Sequence, residues 1–165
     1  MARRVVANSS VLIYLSKIGI LGILRKLFEE VFIPDAVYRE VVIEGGERPG
    51  ATEVKNASWI RTISIKDHAF ANHLKQEIDD GEAEAIVLAL EIKADAVLLD
   101  DADARRIART LGLNVKGTIG VLLLAWRRGL LDDIKEKIEE LMEKGYRLHD
   151  KIYRKLLEEI EKDDK

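Results

Sequence analysis

The sequence predicts an α/β protein: a three-layer α/β/α arrangement around a central, mostly parallel sheet, with extra helices at the carboxyl end. Three observations carry this. Short apolar runs (Val5–Ala7, Val31–Ile33, Ala96–Leu99) alternate with helix-patterned segments, and strands that are apolar throughout belong to sheets covered on both faces. The segment DDGEAEAIVLALEIK, residues 79–93, is apolar nearly all round, so its helix is buried. The chain has 165 residues, 47% hydrophobic and 35% charged, which is one domain by length with a real core under a charge-dense surface.

The elements follow in order. Val5–Ala7 is a strand, and Ser9 or Ser10 caps a helix running through Leu15, because a serine oxygen satisfies orphan helix N–H groups. Gly19 and Gly22 bracket the entry to a helix over Ile23–Phe28. The run VFIP is the second strand, with Pro34 at a first helical position where its missing N–H costs nothing. The helix DAVYREVVIE follows, and GGERPG, residues 45–50, is a flexible loop. WIRTISI, residues 59–65, alternates and reads as a strand, and the polar stretch 66–77 as a short helix. After the buried helix come the strand DAVLLDD and the amphipathic helix DADARRIARTLG, closed by Gly112. NVKGTIGVLLLAWRRG reads as a short strand, a turn with Thr118 as cap, and a buried helix. Two charged helices, near 132–144 and 149–162, carry Ile134, Ile138, Leu141 and Ile152, Leu156, Ile160 at helical spacing. The expectation is one domain over 1–165, with 132–165 a helical hairpin packed on it.

Composition removes several function classes. The net charge of −3 draws no partner by sign alone, so any nucleic-acid contact must come from local basic patches. Without cysteine there are no disulfides, thiolate zinc sites or Cys nucleophile. No apolar stretch reaches membrane-spanning length and no secretory leader is visible, so the expectation is a cytoplasmic protein. There is no GxGxxG, GxxxxGK[ST] or GxSxG motif. His68, His73 and His149 lack metal-ligand spacing and read as surface residues.

In open parallel sheets, ligands collect at the carboxyl ends of strands. The candidates there are Asn8, Ser9 and Ser10 after the first strand, and Asp100, Asp101 and Asp103 after the strand AVLL. Asp79, Asp80 and Glu82 open the buried helix, and Glu40 shares the inward side of its helix with Ala36 and Val37. Several of these acids also have a plain structural role open to them, whereas Asp101, at the end of an apolar strand, is harder to explain structurally. Asp79 and Asp80 suit a helix cap, Glu82 suits a first turn, and Asp103 can pair with Arg106. Carboxylates converging on one sheet edge repel each other, and a hard divalent cation, Mg²⁺ or Mn²⁺, relieves that. Such an ion polarises phosphoryl oxygens and makes water nucleophilic near neutral pH. Arg105 and Arg109 share a helix face beside these acids. With Arg3, Arg4, Lys116, Arg127 and Arg128 they form a candidate phosphate-binding rim. An aspartyl phosphotransferase is the other chemistry that DDADA invites, but it wants its nucleophile on the first strand, where this chain has Asn8.

The succession IPDAVYREV, DDGEAEAIVLAL, VLLDDADARRIARTLGL and VKGTIGVLLLAWRRGL closely resembles PIN-domain proteins, nearest the predicted nucleic-acid-binding PIN subfamily of prokaryotes and related to the VapC-type toxins. The resemblance covers about residues 4–130. It implies a metal-dependent ribonuclease, often the toxin of a toxin–antitoxin pair and often a homodimer. The family's acids fall on Glu40, on Glu82 with Asp80 close by, and on Asp101 with Asp100 and Asp103 adjacent. Ser10 matches a small hydroxyl residue that helps hold the site. The first family acid falls on Asn8, whose neutral carbonyl oxygen can still coordinate a cation, with less charge to hold it. On this basis Glu40, Glu82, Asp101, Asp103 and Asn8 are the expected ligands, with RNA bound at Ser10, Arg105 and Arg109. The alternative is an impaired PIN domain that binds RNA or a partner protein without cutting.

Overall fold

The computed structural model describes residues 3–163. Five parallel strands form the central sheet: β1 (Arg4–Ala7), β2 (Glu30–Ile33), β3 (Ile60–Thr62), β4 (Ala96–Leu98) and β5 (Val115–Lys116), in the order β3-β2-β1-β4-β5. β1 therefore lies centrally, with Val5 opposite both Val31 and Ala96. The chain builds one half of the sheet outward from β1, then crosses back to place β4 on the other side. The crevice between the carboxyl ends of β1 and β4 is the switch point where such sheets bind ligands.

Side-chain alternation along the strands fills two separate cores. Val5, Ala7, Val31, Ile33 and Leu98 face α1 (Ser9–Lys17), α2 (Ile23–Leu27), α8 (Thr118–Arg127), α9 (Ile134–Glu143) and α10 (Asp150–Asp163). Val6, Phe32, Val97 and Leu99 face α5 (His68–Leu74), α6 (Asp80–Glu91) and α7 (Ala102–Thr110). This is the three-layer arrangement that the sequence predicts. Helix α6 is buried from Gly81 to Ala89, as its all-round apolar pattern requires. α9 and α10 contribute Ile134, Ile138, Leu141, Leu156 and Ile160 to the first core, whereas Ile152 is exposed.

Several local expectations are corrected. Neither Ser9 nor Ser10 caps α1: Asn8 occupies the cap with extended backbone, and both serines are helical residues with other partners. Pro34 caps α3 (Asp35–Tyr38) and is not its first residue. Thr118 is likewise the first residue of α8, after Gly117. The helix expected over 35–44 changes winding, with α3 passing into a π-helical turn at Arg39–Ile43 that Glu44 closes by bonding back to the Arg39 carbonyl at 2.8 Å. β3 is shorter than WIRTISI, because pairing with β2 ends once the Ile63 N–H has reached the Ile33 carbonyl. Ala51–Asn56, for which the sequence showed no pattern, is a helix, α4, with Glu53 accepting from the Gly50 N–H. Gly50 enters it at φ 100°, a conformation glycine tolerates.

One buried acid ties two of these elements together. Glu84 of α6 accepts the Ala36 N–H in the first turn of α3 at 3.2 Å and pairs with Lys75 at 3.5 Å. Glu84→Ala strands that N–H and leaves the lysine unpaired, and should lower stability by about 2–4 kcal/mol in urea unfolding. Glu84→Gln, which keeps the acceptor, should lose distinctly less.

Candidate functional site

A cleft of about 340 Å³ opens at the switch point, lined by Asn8, Ser9, Ser10, Ile13, Tyr14, Lys17, Glu40, Asp79, Glu82, Asp100 and Asp101. Four elements deliver the polar groups: the β1–α1 junction, the π-helical turn, the amino end of α6 and the end of β4. The structure thus gathers Asn8, Ser10, Glu40, Glu82 and Asp101 from stretches of chain far apart in sequence.

Glu40 is held from two sides. Ser9 Oγ donates to its Oε2 at 2.6 Å and the Gly81 N–H to its Oε1 at 3.1 Å. Position 81 must be glycine for this approach, since a Cβ there would lie 2.7 Å from Glu40 Oε2. Burial raises the carboxyl's proton affinity against the opposing pull of the Ser9 bond.

Glu82 has two roles at once. Its Oε1 accepts the Asp79 N–H while Asp79 accepts its own N–H at 2.8 Å, the reciprocal capping box of α6. The same side chain is buried and reaches the cleft. Burial, with Asp79 and Asp101 adding repulsion, pushes its carboxyl up from 4.5 to about 7. The motif GEAE therefore divides its work: Gly81 and Glu84 position α3 and Glu40, and Glu82 faces the site.

Asp100 is saturated. Its Oδ1 accepts from the Thr118 N–H at 2.7 Å and from Tyr146 Oη at 2.9 Å, and its Oδ2 accepts from Ser10 Oγ and Thr118 Oγ1, each at 2.7 Å. A carboxylate has about four acceptor positions, and all are taken. Asp101 caps α7 by accepting the Ala104 N–H through Oδ2 at 3.0 Å. Its Oδ1 has no protein donor among the described residues. Asn8 is 4% exposed, and its Oδ1 is a buried acceptor with no partner among the described residues, a costly state that calls for a ligand or water.

Other expected site residues lie elsewhere. Asp103 is exposed, pairs with Arg106 at 3.7 Å and does not line the cleft. The Arg105 guanidinium turns inward to the Leu99 carbonyl at 3.0 Å, so it braces the end of β4 and does not line the cleft. Arg109 lines a separate open hollow beside Asp95 and Lys116, because four residues of α7 carry it away from the strand end. Of the wider rim, Arg3 and Arg4 pair with Glu29 and Glu30, Arg127 with Asp163, and Arg128 bonds the Leu27 carbonyl. The three histidines are exposed. Asp80 is exposed and outside the cleft lining.

Sequence reasoning missed Tyr14, Lys17 and Tyr146. Tyr146 sits in the turn between α9 and α10 and meets Tyr14 edge to face, ring centroids 5.1 Å apart. No motif marks it; only the tertiary fold brings it to Asp100.

Two measurements check these assignments. Below about pH 4.5 the Glu82 proton is held in folded and unfolded chains alike; between 4.5 and about 7 only the folded chain keeps it. Stability of the metal-free protein should therefore fall as pH rises through that window, and Glu82→Gln, which can still accept the Asp79 N–H, should flatten the fall. Tyr146→Phe removes one charge-assisted bond, and a double-mutant cycle with Asp100→Asn should show a coupling of about 1–2 kcal/mol.

Comparison with known proteins gives the family. A family model described as a PIN domain (DUF3368) matches residues 4–162. No curated protein matches. Among solved structures, the chain is similar to a PilT N-terminus domain protein from the hyperthermophilic archaeon Sulfolobus solfataricus P2, at 15% identity and a TM-score of 0.42, over 88% of this chain and 99% of that one. The match of the family model to nearly the whole chain, on a five-stranded parallel sheet with its cleft at the switch point, shows that this protein belongs to the PIN-domain family and has its nuclease-type fold.

Proposed function

We propose that the protein is a metal-dependent endoribonuclease that hydrolyses RNA phosphodiesters in this cleft. We read it further as the toxin of a toxin–antitoxin pair, acting as a cytoplasmic homodimer. The observation that carries the nuclease reading is a set of unspent oxygens at the switch point. They are the orphaned Oδ1 of Asn8, the Oε2 of Glu82 and the Oδ1 of Asp101.

Among the described residues, no three carboxylate or imidazole groups form a ready-made metal cage. Two carboxylates and one amide oxygen still make an all-oxygen donor set, which fits Mg²⁺ or Mn²⁺ keeping several of its waters. Bound there, the ion would polarise the scissile phosphate and acidify water. Glu82 and Asp101 would hold it directly, with Asn8 Oδ1 as the neutral third donor. Glu40 keeps lone pairs beyond the two that Ser9 and Gly81 occupy, and orients water at the edge of the cleft. Asp100, with every acceptor position filled, fixes the wall of the site and takes no proton from substrate.

A second reading is favoured by Asn8 itself. An amide in place of a carboxylate removes one negative charge where the cation would sit, so the domain would bind RNA or a partner protein without cutting.

One assay separates the two. Purified protein incubated with single-stranded RNA should cleave it with Mn²⁺ and not with EDTA, and Asp101→Ala should slow cleavage by about 100-fold or more. Cleavage that survives EDTA rules out the metal mechanism. An inactive wild type whose Asn8→Asp variant cleaves and binds Mn²⁺ more tightly in calorimetry selects the second reading.

A further inference from the structure

Among the described residues the cleft contains one basic side chain, Lys17, and its charge is unspent. Five carboxylates line it (Glu40, Asp79, Glu82, Asp100, Asp101) against the single ammonium of Lys17. In so acidic a setting a lysine ordinarily folds onto a carboxylate. Lys17 does not: among the described residues no carboxylate oxygen lies within 4.0 Å of its Nζ. Three features hold it instead. It stands in the last turn of α1, where the helix dipole favours a cation. Its Nζ lies 4.9 Å from the centroid of the Tyr14 ring, one turn earlier on the same helix. The same Nζ donates to the Lys144 carbonyl at 3.4 Å, in the turn that also brings Tyr146 to Asp100 and whose Gly145 carbonyl accepts from Tyr14 Oη at 3.3 Å.

The ammonium is thus fixed by an aromatic face and a neutral carbonyl, neither of which cancels its charge. A second position for a negative group is created at the α1 end of the cleft. The arginines that the sequence offers for this task stand elsewhere: Arg105 turns inward to the Leu99 carbonyl and does not line the cleft, and Arg109 lies in another hollow.

We infer that Lys17, steadied by Tyr14 and the Lys144 carbonyl, is the phosphate-binding residue of the cleft. It takes a backbone phosphate of single-stranded RNA next to the one positioned at Asn8, Glu82 and Asp101. This rests on the ribonuclease reading and adds to it the residue that holds the strand in register. The contact is electrostatic and independent of base identity.

The test is fluorescence anisotropy with a labelled single-stranded RNA 12-mer, about twelve nucleotides being ample to cross the cleft, in EDTA so that no cleavage intervenes, over a range of KCl. Lys17→Ala should weaken binding about tenfold and lower the magnitude of the salt slope by about 0.7, the share of one phosphate contact on a single strand. Lys17→Arg should restore both, and Arg109→Ala should leave both at the wild-type value. A folding defect would not change the salt slope by one contact, and circular dichroism checks that the fold is kept. Wild-type binding with an unchanged slope in Lys17→Ala overturns the assignment of Lys17 while the ribonuclease reading stands. Failure of the wild type to bind the RNA at any salt, both in EDTA and with Ca²⁺ supplied in its place, overturns both.

Discussion

The site depends on one carboxylate that is not free to react. Asp100 follows β4, and its four hydrogen bonds gather α1 through Ser10, α8 through Thr118 and the α9–α10 turn through Tyr146. Its charge also stands at the amino end of α8, where the helix dipole favours it. A carboxylate drawn even half out of water is tolerated only when its lone pairs are met, and here meeting them requires three separate elements to converge. Gly117 permits the approach, since a Cβ there would lie 2.9 Å from Asp100 Oδ1. With Asp100 fixed, the neighbouring backbone sets Asp101 at the cap of α7 and Asn8 beside the end of β4, where its N–H bonds the Leu98 carbonyl at 3.0 Å. The unspent oxygens are therefore held in place by a spent one.

Much of this was legible in the sequence because the signals are local and redundant. Strands apolar throughout and a helix apolar on every side require cover on both faces of the sheet, and the two cores meet that requirement. Asn8, Glu40, Glu82 and Asp101 were legible because strand-end rules place polar side chains at the crevice and helical spacing puts Glu40 inward. The arginines were not, since a helix face records neighbours along the helix and says nothing of distance from the sheet edge. Arg105 and Arg109 share a face, yet one braces a carbonyl and the other lies in a different hollow. The capping errors have a similar origin. Ser9 and Ser10 have the chemistry of caps, but the helix starts at Ser9 itself, with Asn8 at the cap, and both hydroxyls donate instead to carboxylates, Glu40 and Asp100, brought in from other elements. Tyr146 carries no sequence signal at all, because its role is set by a residue 46 positions away.

Glu40 stands on an unusual winding of the chain. The π-helical turn that carries it is a less favoured winding, of the kind often found at functional positions. It persists because α6 grips α3 at the Ala36 N–H and Gly81 grips the Glu40 carboxylate. The acid is presented by two elements, and neither alone determines where it points.

The reach of Tyr146 also bears on when the cleft comes into being. β1 finds β2 within about 26 residues, but its other neighbour, β4, begins at Ala96, and the last polar contact of the site arrives with residue 146. Contacts so distant along the chain form late and slowly, and a nascent chain emerges amino end first. While the chain is on the ribosome, its early acids are therefore apart, and the crevice closes only after most of the polypeptide has been made. A protein read as cutting RNA thus completes its cleft only with a contact that lies 46 positions beyond Asp100 in the chain.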